Sequence, residues 1–178
     1  MRLSRRSALC YNEGTDGNTW YDWEANGHMS EVVTVLSQEL IDQFQKEKLV
    51  LLSTIDAESG GPATSAISWV FAPNEKTVRF AVDGRSRIVS NVRANARVNA
   101  TLFAEGSVHA VYGAAKIVTE KLEDVPFALV CIDIEVEAVR DAMFYGARIS
   151  VEPEYEKTYD KRAAEKLDNQ VFAAMKKA

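Results

Sequence analysis

Between Val78 and Phe103 stand five arginines, at 79, 85, 87, 93 and 97, with a single carboxylate, Asp83. The whole chain carries a formal net charge of -5, so this is a local concentration of positive charge. Its centre, Asp83-Gly84-Arg85-Ser86-Arg87, puts a flexible glycine, two guanidiniums and a hydroxyl where a helix through Ile88, Val89 and Val92 begins. A helix N-terminus has unsatisfied N–H groups and a partial positive charge, and guanidiniums match phosphate oxygens in geometry. Phosphate binding is therefore one chemistry this spacing supports. The other reading is structural: Ser86 as a plain N-cap and the arginines as a solvated face. Elsewhere the chain offers little for catalysis by side chains alone. Its two histidines are His28 and His109, and no Ser-His-Asp or metal-ligand spacing can be assembled from them. His109 opens a predicted strand and reads as structural, an axial haem ligand being the alternative. Cys10 and Cys131 show no metal spacing.

The elements that must position this stretch follow from periodicity. Ser37 caps a short helix with Leu40, Ile41 and Phe44 on its apolar face, and Leu36 is placed to staple onto Ile41. Leu49 to Ile55 is an apolar run of strand length, Asp56 to Pro62 a turn, and Ala63 to Phe71 a second strand. Pro73 to Lys76 turns the chain into a third strand, Thr77 to Val82. After the short helix come a fourth strand, Val98 to Ala104, and a fifth, Val108 to Thr119, whose Gly113-Ala114-Ala115 suits a close crossing or a bend in a barrel wall. Val130, Ile132, Ile134 and Val136 alternate with Cys131, Asp133, Glu135 and Glu137, which predicts a sixth strand with one buried and one wet face. Asp160 caps a last helix with Ala164, Leu167, Val171 and Met175 on one side and Lys176 and Lys177 at its end. The aromatic stretch before it, from Met143 to Tyr159, either covers a site or packs that helix onto the strands.

Six strands on short connections, with three helices, predict a mainly β protein, a small antiparallel barrel. At 178 residues, 47% hydrophobic and 26% charged, the chain fits one domain with a sizeable core. Residues 1–28 are polar, rich in Gly, Asn and Asp, and without period, so they read as a disordered extension or a misassigned start, Met29 opening a single domain over 29–178. Trp20, Tyr21 and Trp23 there could alternatively anchor a partner. The acidic balance argues against nucleic acid as a partner, and no apolar run approaches the ~20 residues of a membrane helix. Arg2, Arg5 and Arg6 do not lead into a secretory core, and a reduced cytoplasmic protein is the expectation.

From Leu49 to Thr119 the sequence resembles the pyridoxamine 5'-phosphate oxidase-like family of flavin-binding split barrels. The resemblance is carried by Trp69-Val70-Phe71, by Phe80-Ala81-Val82-Asp83, by Ser86-Arg87 opening a helix and by Asn95-Ala96-Arg97-Val98. Arg87 stands near the family's usual lysine and Ala96 replaces its usual proline. The likeness implies a six-stranded split barrel that forms a homodimer with flavin mononucleotide (FMN) in the cleft between subunits. It places the phosphate at Arg85, Ser86 and Arg87. Ser65, Ile67, Ser68 and Trp69, with Ala81, Val82 and Asp83, would line the ribityl chain and the isoalloxazine edge, partly through backbone; Trp69 also reads as core. The family's oxidases end in an Arg-rich signature that this sequence does not show, which argues against pyridoxamine phosphate as substrate. Three functions stay open: a flavin-dependent oxidoreductase for a small molecule, a non-catalytic flavin-binding or stress-response protein, and a split barrel holding haem or a deazaflavin.

Overall fold

The computed structural model describes residues 33–178; the predicted extension over 1–28, Met29 and Cys10 lie outside the described residues. Ser37 caps α1 (Gln38–Phe44), its hydroxyl accepting from the Leu40 N–H at 3.3 Å, and the helix buries Leu40 and Phe44 beside Leu36. β1 (Val50–Ile55) then pairs antiparallel with β2 (Pro62–Ile67), Val50 opposite Ile67 and Leu52 opposite Ser65. β3 (Val70–Asn74) and β4 (Thr77–Asp83) form the next hairpin, and α2 (Arg87–Ala94) leads to β5 (Arg97–Ala104), β6 (Ser107–Thr119) and β7 (Leu129–Asp141). α3 (Lys161–Lys177) closes the chain, with the Asp160 carboxylate accepting from the Ala163 N–H at 2.8 Å.

The seven strands make one antiparallel sheet in the order β2-β1-β5-β6-β7-β4-β3. Its two outermost strands are joined by only two residues, Ser68 and Trp69. Three Cα steps span at most ~10 Å, so the sheet must curl until its edges meet at that link. The result is a split barrel: closed by covalent chain at the seam, with no strand pairing between β2 and β3. The stretch 63–71, which reads as one strand, is for this reason two. Its first half pairs with β1, its second half with β4, and the break falls where the Val70 N–H turns back to the Ser68 carbonyl at 2.9 Å.

Leu52, Val78, Phe80, Leu102, Ile132 and Ile134 fill the barrel, together with Val89 from α2 and Phe44 from α1. A second cluster lies outside the wall, where Val171, Ala174 and Met175 of α3 cover Phe71, Ala81, Leu129 and Cys131. This corrects the wet face read into β7. Glu135 and Glu137 are exposed, but Cys131 is fully buried and Asp133 half-buried, because α3 lies across that end of the strand. Each of the larger apolar side chains so covered, Phe71, Leu129, Val171 and Met175, contributes ~1.5–3 kcal/mol relative to exposure. Gly113 also finds its reason: a Cβ there would stand 2.1 Å from the Glu135 carbonyl oxygen, at a register shift between β6 and β7.

Candidate functional site

At the end of β4 the chain makes a tight turn, the Ser86 N–H donating to the Asp83 carbonyl at 2.8 Å, and α2 starts immediately. Gly84 packs so closely on the 128–130 segment that its N–H reaches the Ala128 carbonyl at 2.9 Å. Ser86 is the N-cap, its hydroxyl accepting from the Ile88 N–H at 3.2 Å, and the first turn of α2 carries no acidic residue. Arg85 folds back onto Asp83, Nε and Nη2 meeting its two carboxylate oxygens at 3.0 and 3.1 Å. These hydrogen bonds, with one from the Arg85 backbone N–H, hold the Asp83 carboxyl down at about 2. Arg87 reaches Asp56 in the β1–β2 turn, Nη2 to Oδ2 at 2.6 Å, with Glu58 3.6 Å away. Asp56 is itself fixed by the Ser59 N–H and hydroxyl, which lower its pKa.

Both guanidiniums nevertheless face solvent, Arg85 92% and Arg87 70% exposed. Among the described hydrogen bonds, Arg87 keeps Nε and Nη1 free and Arg85 keeps Nη1 free. A phosphate approaching the start of α2 would thus meet two guanidiniums that are each paired with a carboxylate, Asp83 or Asp56, but keep N–H groups to donate, and no carboxylate from the helix's own first turn. The residues present fit the anionic end of FMN. Arg93, in the last turn of α2, pairs instead with Glu120 at 2.6 Å and belongs to another surface.

The remaining predicted residues lie along β2 and at the seam. Ser65 and Ile67 share the inward face with Leu52 and Val50, yet both are only half-buried because β2 is an edge strand. The Trp69 carbonyl accepts from the Ala81 N–H at 3.0 Å, which joins the seam to the end of β4. Ala81 and Val82 are buried, Ala81 under α3 and Val82 in the barrel core. The Trp69 ring packs partly buried against the α3 cluster. β2 therefore runs from the Asp56–Arg87 contact at one end to the Trp69–Ala81 contact at the other, ~20 Å for six residues.

Sequence reasoning missed a polar cluster at the seam. The Trp69 indole N–H donates to Asp168 Oδ1 at 2.9 Å, and Asp168 Oδ2 pairs with Lys157. Lys157 also lies 2.6 Å from Glu47, which accepts from the Tyr155 hydroxyl. Burial opposes the Lys157 charge, but Asp168 and Glu47 together outweigh it and raise its pKa. Burial, reinforced by the neighbouring Glu47 carboxylate, pushes the Tyr155 phenol up to about 12. Asp168 was hidden because in an amphipathic helix one aspartate among Lys166, Asn169 and Gln170 reads as solvated. His109 stands opposite Asp141 on β7, and its Nε2 is 3.2 Å from the Ala104 carbonyl.

The sequence pattern of the pyridoxamine 5'-phosphate oxidase family matches residues 36–152. The chain belongs to this family. The match covers the whole barrel and ends before Tyr155, Lys157 and α3, so the seam cluster draws on residues beyond it. A search of curated proteins finds no match. Among solved structures, a Lactobacillus delbrueckii protein assigned as a pyridoxamine 5'-phosphate oxidase superposes with a TM-score of 0.52 at 17% identity, over 61% of this chain and 95% of its own. HupZ of group A Streptococcus gives 0.52 at 20%, over 64% and 98%. An F420 reductase gives 0.50 at 16%, over 59% and 98%. At these identities the family's fold is what is shared.

Proposed function

We propose that this family member binds FMN and works as a flavin-dependent oxidoreductase on a small molecule, as a homodimer with the cofactor between subunits. The observation that carries the reading is the pair of exposed guanidiniums, Arg85 and Arg87, at the start of α2 beside the free edge of β2. A dianionic phosphate calls for fixed cations, and the polar edge of a flavin ring calls for N–H donors, which an unpaired strand edge presents. In this arrangement Arg85, Ser86 and Arg87 hold the phosphate. Ser65, Ile67, Ser68 and Trp69, with Ala81, Val82 and Asp83, flank the ribityl chain and ring. Bound FMN supplies the redox chemistry; the protein binds it, orients it and limits water around it. Dimerisation is supported by the outer face of β5 and β6, where Phe103 sits opposite Val108 and Tyr112 is 41% exposed.

A deazaflavin in the same cleft is a second reading, favoured by the fold shared with the F420 reductase. The visible spectrum of the purified protein separates the readings. The proposal expects the two-band spectrum of oxidised flavin, bleaching when a reduced nicotinamide cofactor and an acceptor-free buffer are supplied. A single deazaflavin band or a haem spectrum would replace FMN as the cofactor. Flavin bands that never bleach would leave a flavin-binding protein without this turnover.

A further inference from the structure

Among the described strands, the seam between β2 and β3 is where neighbouring edges of the barrel wall meet without pairing, and it is held from outside. Trp69 is tied to Asp168 of α3, whose side chain is only 10% exposed, and Asp168 is held in turn by Lys157. Lys157 reaches on to Glu47, just before β1, and Tyr155 closes the cluster. One carboxylate thus gives one oxygen to an indole N–H and the other to an ammonium, a geometry that fixes both partners. Because Trp69 accepts through its carbonyl from Ala81 and donates through its indole to Asp168, the backbone of 67–69 is clamped from two sides. Without the clamp, a two-residue link between two sheet edges has little to define it.

We infer that Asp168 is a positioning residue for the cofactor: acting through the Trp69 indole, it sets the seam backbone against which the flavin ring edge lies. The inference rests on the FMN reading above and extends it to a helix outside the family match. It predicts that a buried side chain of α3 tunes flavin electronics without touching the flavin, since hydrogen bonds from protein to the ring edge shift both its absorption and its potential.

The test compares wild type with Asp168→Ala, Asp168→Asn, Trp69→Phe and the double variant Trp69→Phe/Asp168→Ala, each titrated with FMN. Affinity, the visible absorption maximum and the reduction potential of bound FMN are read, together with the Trp69 indole N–H resonance by NMR. Asp168→Ala is expected to shift the indole resonance, to move the absorption maximum and potential, and to weaken FMN roughly twofold to tenfold, the effect of one side chain's lost preorganisation. Asp168→Asn keeps an acceptor for the indole and should restore spectrum and potential, although it breaks the Lys157 ion pair. The double variant should be no worse than Trp69→Phe alone, because both act through one bond. Should Asp168→Ala not fold, Asp168→Ser, too short to reach the indole, replaces it. An indole resonance that moves while FMN affinity, spectrum and potential stay at wild-type values overturns the inference and leaves FMN binding standing. So does an Asp168→Ala effect that persists at full size in the Trp69→Phe background. A wild type that binds no FMN overturns the functional reading, and the inference with it.

Discussion

At the scale of single residues, the turn from Asp83 to Arg87 pairs one cation locally, Arg85 with Asp83, and the other at long range, Arg87 with Asp56. Asp83 is pulled down to about 2 by Arg85, from an ordinary value of 3.8, so it stays ionised throughout the range in which proteins are handled. Its contribution to stability is present above ~4 and is lost as pH falls from there through its folded value. The titrating group between pH 5 and 8 is instead the FMN phosphate, whose second ionisation lies near ~6. A cationic site prefers the dianion, so FMN affinity should rise as pH goes from 5 to 7.5 and then level off. Fluorescence titrations across that range check it; affinity that falls with rising pH would mean that the phosphate does not face Arg85 and Arg87. The turn was legible in the sequence because all its groups are local. Asp56 as the partner of Arg87 was not, because 31 residues of chain separate them and only the curl of the sheet brings them together.

At the scale of elements, α3 is fastened to the barrel by a polar bond as well as by its apolar stripe. Arg79 meets Asp133 in a two-pronged pair, Nε–Oδ1 2.6 Å and Nη2–Oδ2 2.8 Å, and its Nη1 donates to the Met175 carbonyl in the last turn of the helix at 2.9 Å. A cation satisfying the carbonyl end of a helix is favourable. Removing it leaves Asp133 beneath α3 without its partner. Arg79→Ala should therefore destabilise the protein by about 3 kcal/mol, the lower end for broken buried pairs because these side chains retain 15% and 19% exposure. Denaturant unfolding measures it, and a loss under about 1 kcal/mol would class the pair with surface salt bridges. Replacing both residues by leucine should cost less than Arg79→Ala. In the same wall, Gly113→Ala forces its methyl group against the Glu135 carbonyl oxygen and should cost about 1–3 kcal/mol; unchanged melting would show that β6 and β7 can part there. Strand and helix positions were legible because alternation and 3.6-residue spacing are local signals. The break at Ser68–Trp69 was not: Ala63 to Phe71 is an uninterrupted strand pattern, and only long-range pairing with opposite edges of the sheet divides it. The stripe Ala164, Leu167, Val171 and Met175 announced a packed helix. What it packs on, Cys131 and Phe71, had no counterpart signal.

At the scale of the whole molecule, the described strands form a barrel split along one seam, with a helix packed over its wall and a cationic turn near its edge strand β2; in the proposed reading a second subunit completes the site there. A cofactor shared by two subunits couples binding to assembly, so FMN should raise the melting temperature with both ligand and protein concentration. In the proposed site, Arg87 at the start of α2 holds the phosphate of FMN. The most direct test of this placement is the dissociation constant of FMN, from fluorescence quenching, for wild type, Arg87→Ala and Arg93→Ala at two protein concentrations. Loss of a charge-assisted hydrogen bond, ~1.5–3 kcal/mol, predicts roughly tenfold to hundredfold weaker binding for Arg87→Ala. Arg93→Ala, which removes only an exposed pair with Glu120, should bind as wild type does, and the wild-type protein should bind more tightly at the higher protein concentration. Arg87→Ala binding FMN as tightly as wild type would mean that the phosphate does not sit at Arg87.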